Sequence, residues 1–505
     1  MKYYNINNFV IVKNLKNHIN INGYDRIFIG SNIILYYEKS NKFSFYSLLL
    51  NDNRIELQWN NSYYPIFKYS AKNYSIITTD YKHYFDLKLE LTINQNNVIE
   101  FILFNTTTKT RTLHNKVERI FHINKIIIDE NQIKFDYVDE RLNDESLINV
   151  FQKQIYNVVL ESLSLNHGIF LSGGSESRIN AAIAQYYGLQ KEFITWGHPE
   201  DKEYRIAGKI ANKLKTKHIN IRPDVSNLPY KELLLKTGFL VNMQYAYRYS
   251  VVKQLFENYD YDLIWTGWGD INGYPTMYQP SELFSDFYLG LYKGEKRFPN
   301  GWDIDWLHSY KFKDNPIFKK INIDKSIKTF FILRKNFFAP YIFGQVLSIE
   351  NILGSVYSPW FNSIIYKAIY REENIQPRII YNKKERTIWK NDLYYHLIKQ
   401  YYPPLNKIIN SKGYYPWMVR KQTGCFGLGG AYLLKKLGKY RKYPFDPVED
   451  RNFLKLELQK ILDDSIKIFN KEDILEIIKN IDLWNGYQIL EIFKLIQIYW
   501  FLKIS

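Results

Sequence analysis

From residue 144 to about 270 the chain alternates short apolar runs with stretches whose apolar residues recur at helical spacing, and few folds accept that alternation. The order is ESLINVFQKQIYNVVLESLSL as helix, HGIFLSGG as strand, a helix ending at Gly188, EFITWG as strand, a helix over EYRIAGKIANKLK, HINI as strand, a long helix, and DLIWTGWG as strand. A strand that returns through a helix to another strand lies parallel to it. The expected architecture is therefore α/β, a mostly parallel sheet with helices on both faces.

The first 140 residues have another texture, with short β-rich runs separated by polar turns. FVIV (9–12), RIFIG (26–30), NIILYY (32–37), SIITT (75–79), KLELTI (88–93), VIEFILF (98–104) and KIIID (125–129) are expected strands. Alternation such as Lys88-Leu89-Glu90-Leu91-Thr92 predicts one wet face. This half is expected to be an antiparallel β-rich or α+β domain, and it carries no chemical motif. From about 320 onward helical patterns dominate, including KEDILEIIKNI and YQILEIFKLIQIYWFLK. A length of 505 residues suits two or three domains, and the texture divides them at 1–143, 144–430 and 431–505.

Composition narrows the partners. Lys and Arg exceed Asp and Glu by 68 − 51 = +17, which suits an anionic ligand. The lysines are spread along the chain, so a solvated basic surface explains them equally, and no nucleic-acid-binding module accompanies them. The single cysteine, Cys425, excludes an internal disulfide or a Cys-cluster metal site within one chain. MKYYNINNFVIVKNLKNHI has no continuous apolar core, and no run reaches the ~18 apolar residues of a membrane span, so a cytoplasmic location without membrane or nucleic-acid partners is expected.

The chemistry concentrates in Gly168-Ile169-Phe170-Leu171-Ser172-Gly173-Gly174-Ser175-Glu176-Ser177-Arg178, an apolar strand that passes through Ser-Gly-Gly straight into a helix. Two glycines let backbone approach a ligand, and the unpaired N–H groups of the helix start point toward it. Such a loop at the carboxyl end of a parallel strand is an anion site, with a plain turn as the competing reading. It is not a Walker loop, since no Gly-Lys-[Ser/Thr] follows.

These residues resemble the pyrophosphate loop, Ser-Gly-Gly-x-Asp-Ser, of the asparagine synthetase C-terminal domain family, which includes beta-lactam synthetases and lasso-peptide cyclases. Phe193-Ile194-Thr195-Trp196-Gly197-His198-Pro199-Glu200, followed by Glu203 and IAGKIANKLKTKHINI, is similar to that domain's second strand and helix. Leu263-Ile264-Trp265-Thr266-Gly267-Trp268-Gly269-Asp270-Ile271-Asn272-Gly273-Tyr274 resembles its Ser-Gly-Glu-Gly-x-Asp-Glu segment. SIENILGSVYSPWFN, KKERTIWKNDLYYHLIKQYYPP and INSKGYYPW follow in the family's order, so the likeness spans about 165 to 425.

The resemblance implies an adenine nucleotide hydrolase-like fold. The implied activity is an ATP- and Mg²⁺-dependent ligase that adenylates a small-molecule or peptide carboxylate, releases pyrophosphate and passes the acyl group to an amine or ammonia. Leu171, Ser172, Gly173, Gly174, Ser175, Glu176 and Ser177 would hold pyrophosphate, with Thr195, Gly197 and Gly267 completing the nucleotide site. Glu176 and Asp270 would ligate magnesium as hard oxygen donors. Lys412 matches the lysine that stabilises the acyl-transfer transition state and stands with Asp270 as catalytic. Glu176 replaces the family's Asp, and Trp268 replaces a Glu that assists the amine step. Those two departures support a rival reading as an inactive nucleotide-binding or assembly component, while charge alone supports a nucleic-acid binder. His198 and His218 are read as structural, and Lys384 and Arg386 as reserve phosphate contacts or solvated helix charges. Glutamine-dependent members begin Met-Cys, whereas this sequence begins Met1-Lys2, so the front half is expected to be a degenerate glutaminase-like domain without glutaminase activity.

Overall fold

The computed structural model describes residues 2–13, 24–29, 33–39, 46–51, 54–59, 66–104, 110–120, 123–129, 132–137, 146–225, 228–267, 301–303, 344–353, 356–362, 378–380, 387–389, 392–411, 413–419, 451–483 and 486–505, with a few isolated positions besides. Trp268, Asp270, Lys384, Arg386, Lys412 and Cys425 lie outside the described residues.

The front half is an antiparallel sheet of ten strands: β1 (Lys2–Lys13), β2 (Asp25–Ile29), β3 (Ile33–Lys39), β4 (Tyr46–Asn51), β5 (Arg54–Trp59), β6 (Ile66–Ser70), β7 (Ser75–Thr78), β8 (Val117–Ile120), β9 (Ile123–Asp129) and β10 (Ile133–Tyr137). They run β10-β9-β5-β4-β1-β7-β6-β8, with β3 paired to β1 and β2 to β3. Period-2 alternation decides which core each residue joins. Phe9 and Ile11 of β1 pack with Leu35, Leu57 and Ile126, all strand residues of this sheet, while Val10 and Val12 face the helices behind it.

Two expected strands are not strands. VIEFILF lies in the helix α2 (Gln95–Phe104), which follows α1 (Lys82–Asp86). An unbroken apolar run does not distinguish a buried helix from a buried strand. The overlooked signal is Asn94, whose side-chain oxygen accepts from the Asn97 N–H at 3.0 Å and caps the first turn. KLELTI is irregular apart from one bridge at Ile93, because Lys88 adopts a left-handed φ of 51° that breaks an extended run.

The middle of the chain follows its alternation. Helix α3 (Leu147–Ser162) precedes β11 (His167–Phe170), α4 (Ser175–Tyr187), β12 (Gln190–Trp196), α5 (Lys202–Leu214), β13 (Lys217–Ile221), α6 (Tyr230–Lys236), α7 (Tyr247–Asn258) and β14 (Leu263–Trp265). Gly188 closes α4 in the left-handed conformation, φ 68°. The single long helix expected before β14 is instead α6 and α7. Left-handed residues at Gly238 and Phe239 and a 3-10 turn at Met243–Ala246 separate them. A fifth strand, β15 (Val356–Tyr357), completes a wholly parallel sheet in the order β13-β12-β11-β14-β15.

In order of appearance those strands read third, second, first, fourth, fifth, so the direction of winding reverses between β11 and β14. Right-handed crossovers then place α4 and α5 on one face and α7 on the other. His167 bridges the reversal, since its Nδ1 accepts from Trp265 Nε1–H at 2.9 Å and its Nε2 faces the Ser162 carbonyl at 2.7 Å. Burial lowers its pKa and keeps the ring neutral.

The helices Arg451–Asp463, Lys471–Asn480 and Gly486–Ile504 share one apolar core with the front sheet, α2 and α6. Buried Lys494 donates to the Ile102 carbonyl at 3.0 Å, and Gln497 donates to the Phe239 carbonyl at 2.6 Å. Among the described residues no helix is long and apolar enough to cross a membrane.

Candidate functional site

In an open parallel sheet the loops at the carboxyl ends of the strands diverge where the winding reverses, leaving a crevice. Here that crevice lies between β11 and β14, and the loop that follows β11 is Leu171-Ser172-Gly173-Gly174. The loop is held by a short internal network. Ser172 N–H donates to Ser177 Oγ at 3.0 Å, Gly174 N–H donates to Ser172 Oγ at 3.1 Å, and the two serine hydroxyls lie 3.0 Å apart. Gly174 is the N-cap residue of α4 and no side chain caps the helix. The first-turn N–H groups are therefore left without a capping side chain at the positive end of the helix dipole.

Glycine is required by contact at two positions. A Cβ on Gly173 would stand 2.9 Å from Ser411 Cβ and 3.0 Å from Glu203 Oε2. A Cβ on Gly267, just beyond β14, would stand 2.6 Å from Ser177 N and 2.8 Å from its Cα. Gly267 and the first turn of α4 thus meet backbone to backbone. Gly197, just after β12, has φ 113°, a left-handed backbone that favours glycine, and among the described residues nothing lies within 4 Å of where a Cβ would stand.

Leu171 and Thr195 tie the loop to β12. Leu171 is buried and pairs through its N–H with Ile194 O at 2.7 Å. The buried Thr195 hydroxyl donates to Leu171 O at 2.5 Å and lies 2.8 Å from His218 Nε2. Its one proton goes to the carbonyl, so His218 must be the donor in that pair. His218 also stacks on Tyr204 at 4.6 Å, and burial lowers its pKa, in keeping with a structural role. His198 is exposed, and its Nδ1 accepts from Glu200 N–H at 3.2 Å.

Glu176, in the first turn of α4, accepts the Tyr394 hydroxyl through Oε1. Its Oε2 lies 3.5 Å from where a Gly174 Cβ would stand, on the loop side. A carboxylate there fits a hard cation. Among the described residues no group of three or more His, Cys, Asp or Glu side chains is arranged to hold a metal.

Two residues quoted in the motifs have roles that sequence reasoning did not assign. Arg178 is fully buried in α4 and donates to Leu405 O at 3.2 Å, Ile408 O at 2.5 Å and Ile409 O at 3.0 Å. Burial lowers its pKa to about 10, against the opposing effect of Glu203 and Tyr414, so it stays charged at neutral pH. Its clamp brings Ser411 to the loop, where Ser411 N–H donates to Gly173 O at 2.8 Å. Glu203 accepts from Gly173 N–H at 2.6 Å and also from the Ser411 side chain. The available signal was Ser-Arg-Ile-Asn-Ala-Ala-Ile-Ala, a run of small and apolar residues that is buried from end to end together with its arginine.

Arg178→Lys should test the clamp. The ammonium keeps the charge but cannot present a planar fork to three carbonyls, so urea unfolding should show a loss of about 1–3 kcal/mol. Unchanged stability would reduce the clamp to incidental contact.

No family model matches the chain, and no curated protein matches it in sequence. Among solved structures, NMN synthetase from Francisella tularensis aligns over 47% of this chain and 100% of its own, at 12% identity and a TM-score of 0.19. A likeness that slight bears on neither mechanism nor substrate, and the parallel sheet with its flanking helices is established by the chain's own hydrogen bonds.

Proposed function

We propose that this protein is an ATP-dependent amide-forming ligase that adenylates a carboxylate, releases pyrophosphate and transfers the acyl group to an amine or ammonia. The observation that carries the reading is the uncapped start of α4 behind Ser172-Gly173-Gly174, placed where the sheet's winding reverses and backed by Gly267. That arrangement offers backbone N–H groups and a helix dipole to a polyanion. In this reading Ser172–Ser177 hold the pyrophosphate portion of ATP, and Gly197 lies on the nucleoside side of the site.

Glu176 would offer an oxygen to a magnesium ion arriving with the phosphates, whose chemistry there is to neutralise charge as pyrophosphate departs. Asp270 is the proposed second ligand. Lys412 is proposed to meet the charge that develops on the acyl-adenylate, and its neighbours Ser411 and Gly413 are held by Gly173 O and Asn410 O at 2.8 and 2.9 Å. Preorganised charge of this kind is the main resource a ligase has for acyl transfer.

The test is equilibrium binding of ATP with and without Mg²⁺, followed by pyrophosphate release with candidate carboxylates. Gly173→Ala should weaken ATP at least ~10-fold, because its Cβ pushes against Ser411 and Glu203 and shifts the loop. A wild type that binds no ATP refutes the reading, and one that binds ATP without ever turning it over supports an inactive nucleotide-binding homologue.

A further inference from the structure

The Ser172–Ser177 loop is built for an anion, yet a carboxylate of the chain already stands in it. Glu203 Oε2 lies 2.6 Å from Gly173 N, the distance of a charge-assisted hydrogen bond. It also bounds the space beside Gly173, 3.0 Å from where a Cβ would be. Past Gly174, whose N–H goes to Ser172 Oγ at 3.1 Å, the next N–H groups along the chain are those of the first turn of α4, where a phosphoryl oxygen would be held, each Cα step being ~3.8 Å. Two negative groups at that spacing in a half-buried crevice cannot both keep full charge cheaply.

We propose that Glu203 makes phosphate binding at this loop proton-coupled, its carboxylate taking up one proton from solvent when a phosphoryl group enters. The inference rests on the reading of the loop as a phosphate site. The groups facing Glu203 support it. From its own helix, Asp201 raises the affinity of the carboxyl for a proton and Lys202 lowers it. From the loop and the 411 segment, Gly173 N–H and the Ser411 side chain favour the ionised form. Arg178 of α4 interacts with Glu203 at a distance while its two terminal nitrogens donate to three carbonyls, and Glu176, whose Oε2 lies beside Gly174, is a further negative group. Burial outweighs the favourable contacts and already holds Glu203 above the ordinary carboxylate value, so a nearby phosphate raises it from a favourable starting point.

The sign follows from linkage. A site that binds a proton together with its ligand loses affinity as pH rises through the window between the free and bound pKa values, by up to ~10-fold per pH unit. The protonated carboxyl can also turn from acceptor to donor, toward the phosphoryl oxygen itself.

The experiment is calorimetric titration with inorganic pyrophosphate and Mg²⁺ from about pH 5 to about 8, in buffers of different ionisation enthalpy. Wild type should take up more protons on binding than Glu203→Gln, and its affinity should fall more steeply with pH. Comparing the two proteins cancels the ligand's own protonation. Gln keeps the shape and an acceptor for Gly173 N–H, so folding is preserved. Ser411→Ala, which removes one donor to the ionised carboxylate, should move the wild-type transition to higher pH. Equal proton uptake and equal pH slopes in wild type and Glu203→Gln would overturn the proposal while leaving the phosphate site standing. Failure of wild type to bind pyrophosphate or ATP at any pH would overturn both.

Discussion

Gly267→Ala is expected to remove nucleotide binding altogether and to destabilise the fold by about 3 kcal/mol, the upper end of overpacking penalties. The added methyl would overlap backbone, not a movable side chain, since Ser177 N and Cα lie 2.6 and 2.8 Å from it. Relief requires the loops after β11 and β14 to part, and that dismantles the cradle at the start of α4. Two readouts separate the effects: urea unfolding for stability, and ATP binding on the fraction that remains folded. Binding within a few fold of wild type would show that the two loops do not form one site.

The second large effect is expected at Glu350. Its carboxylate lies 2.9 Å from Arg248 Nε, with the side chains 1% and 2% exposed, so neither charge has water to fall back on. Glu350→Gln leaves a buried guanidinium facing a neutral partner and should lose about 3–5 kcal/mol. Burial holds the Glu350 carboxyl above the ordinary carboxylate range in spite of the arginine, which shows how incompletely the pair offsets its own desolvation. The double change Arg248→Met with Glu350→Leu should therefore recover most of the loss. The Arg248 guanidinium also stacks 4.7 Å over the Trp196 ring, at the crevice end of β12. Loosening the pair should accordingly weaken ATP as well as the fold. A double variant no better than Glu350→Gln would mean that the pair contributes net stability.

The middle of the chain was legible because each signal there is local. Apolar runs of strand length, helical spacing over α5 and Gly188 ending α4 can each be read within a few residues. Part of what was missed depends on partners far away in sequence, and part on a local cap. β15 is two residues long and exists because β14 offers it a parallel edge. The VIEFILF segment became helix α2 because Asn94 caps it and buried Glu100 meets Arg111 at 2.6 Å. For the candidate site, the glycines and serines were visible as a pattern, but Arg178 and Glu203 act on carbonyls and N–H groups supplied from residues 405–411 and from the loop, and no spacing rule encodes that. The Thr195 hydroxyl likewise acts on a carbonyl of the neighbouring strand's loop, that of Leu171.

The shared core of the front sheet and the last helices has a consequence for how the protein is made. The bond from Lys494 to Ile102 spans 392 residues, and closing a loop of that length costs ~5 kcal/mol in chain entropy. Val98, Phe101 and Ile102 share a core with Ile492, Leu495 and Ile496, and that core can close only after residues near 500 have left the ribosome. By then the parallel sheet, whose core draws on residues 151–405, has had time to assemble on its own. During translation the front half must wait with an apolar face uncovered, the condition under which nascent chains stick to one another or call on chaperones. A ribosome stalled before residue 486 should therefore display a protease-resistant middle between two exposed ends.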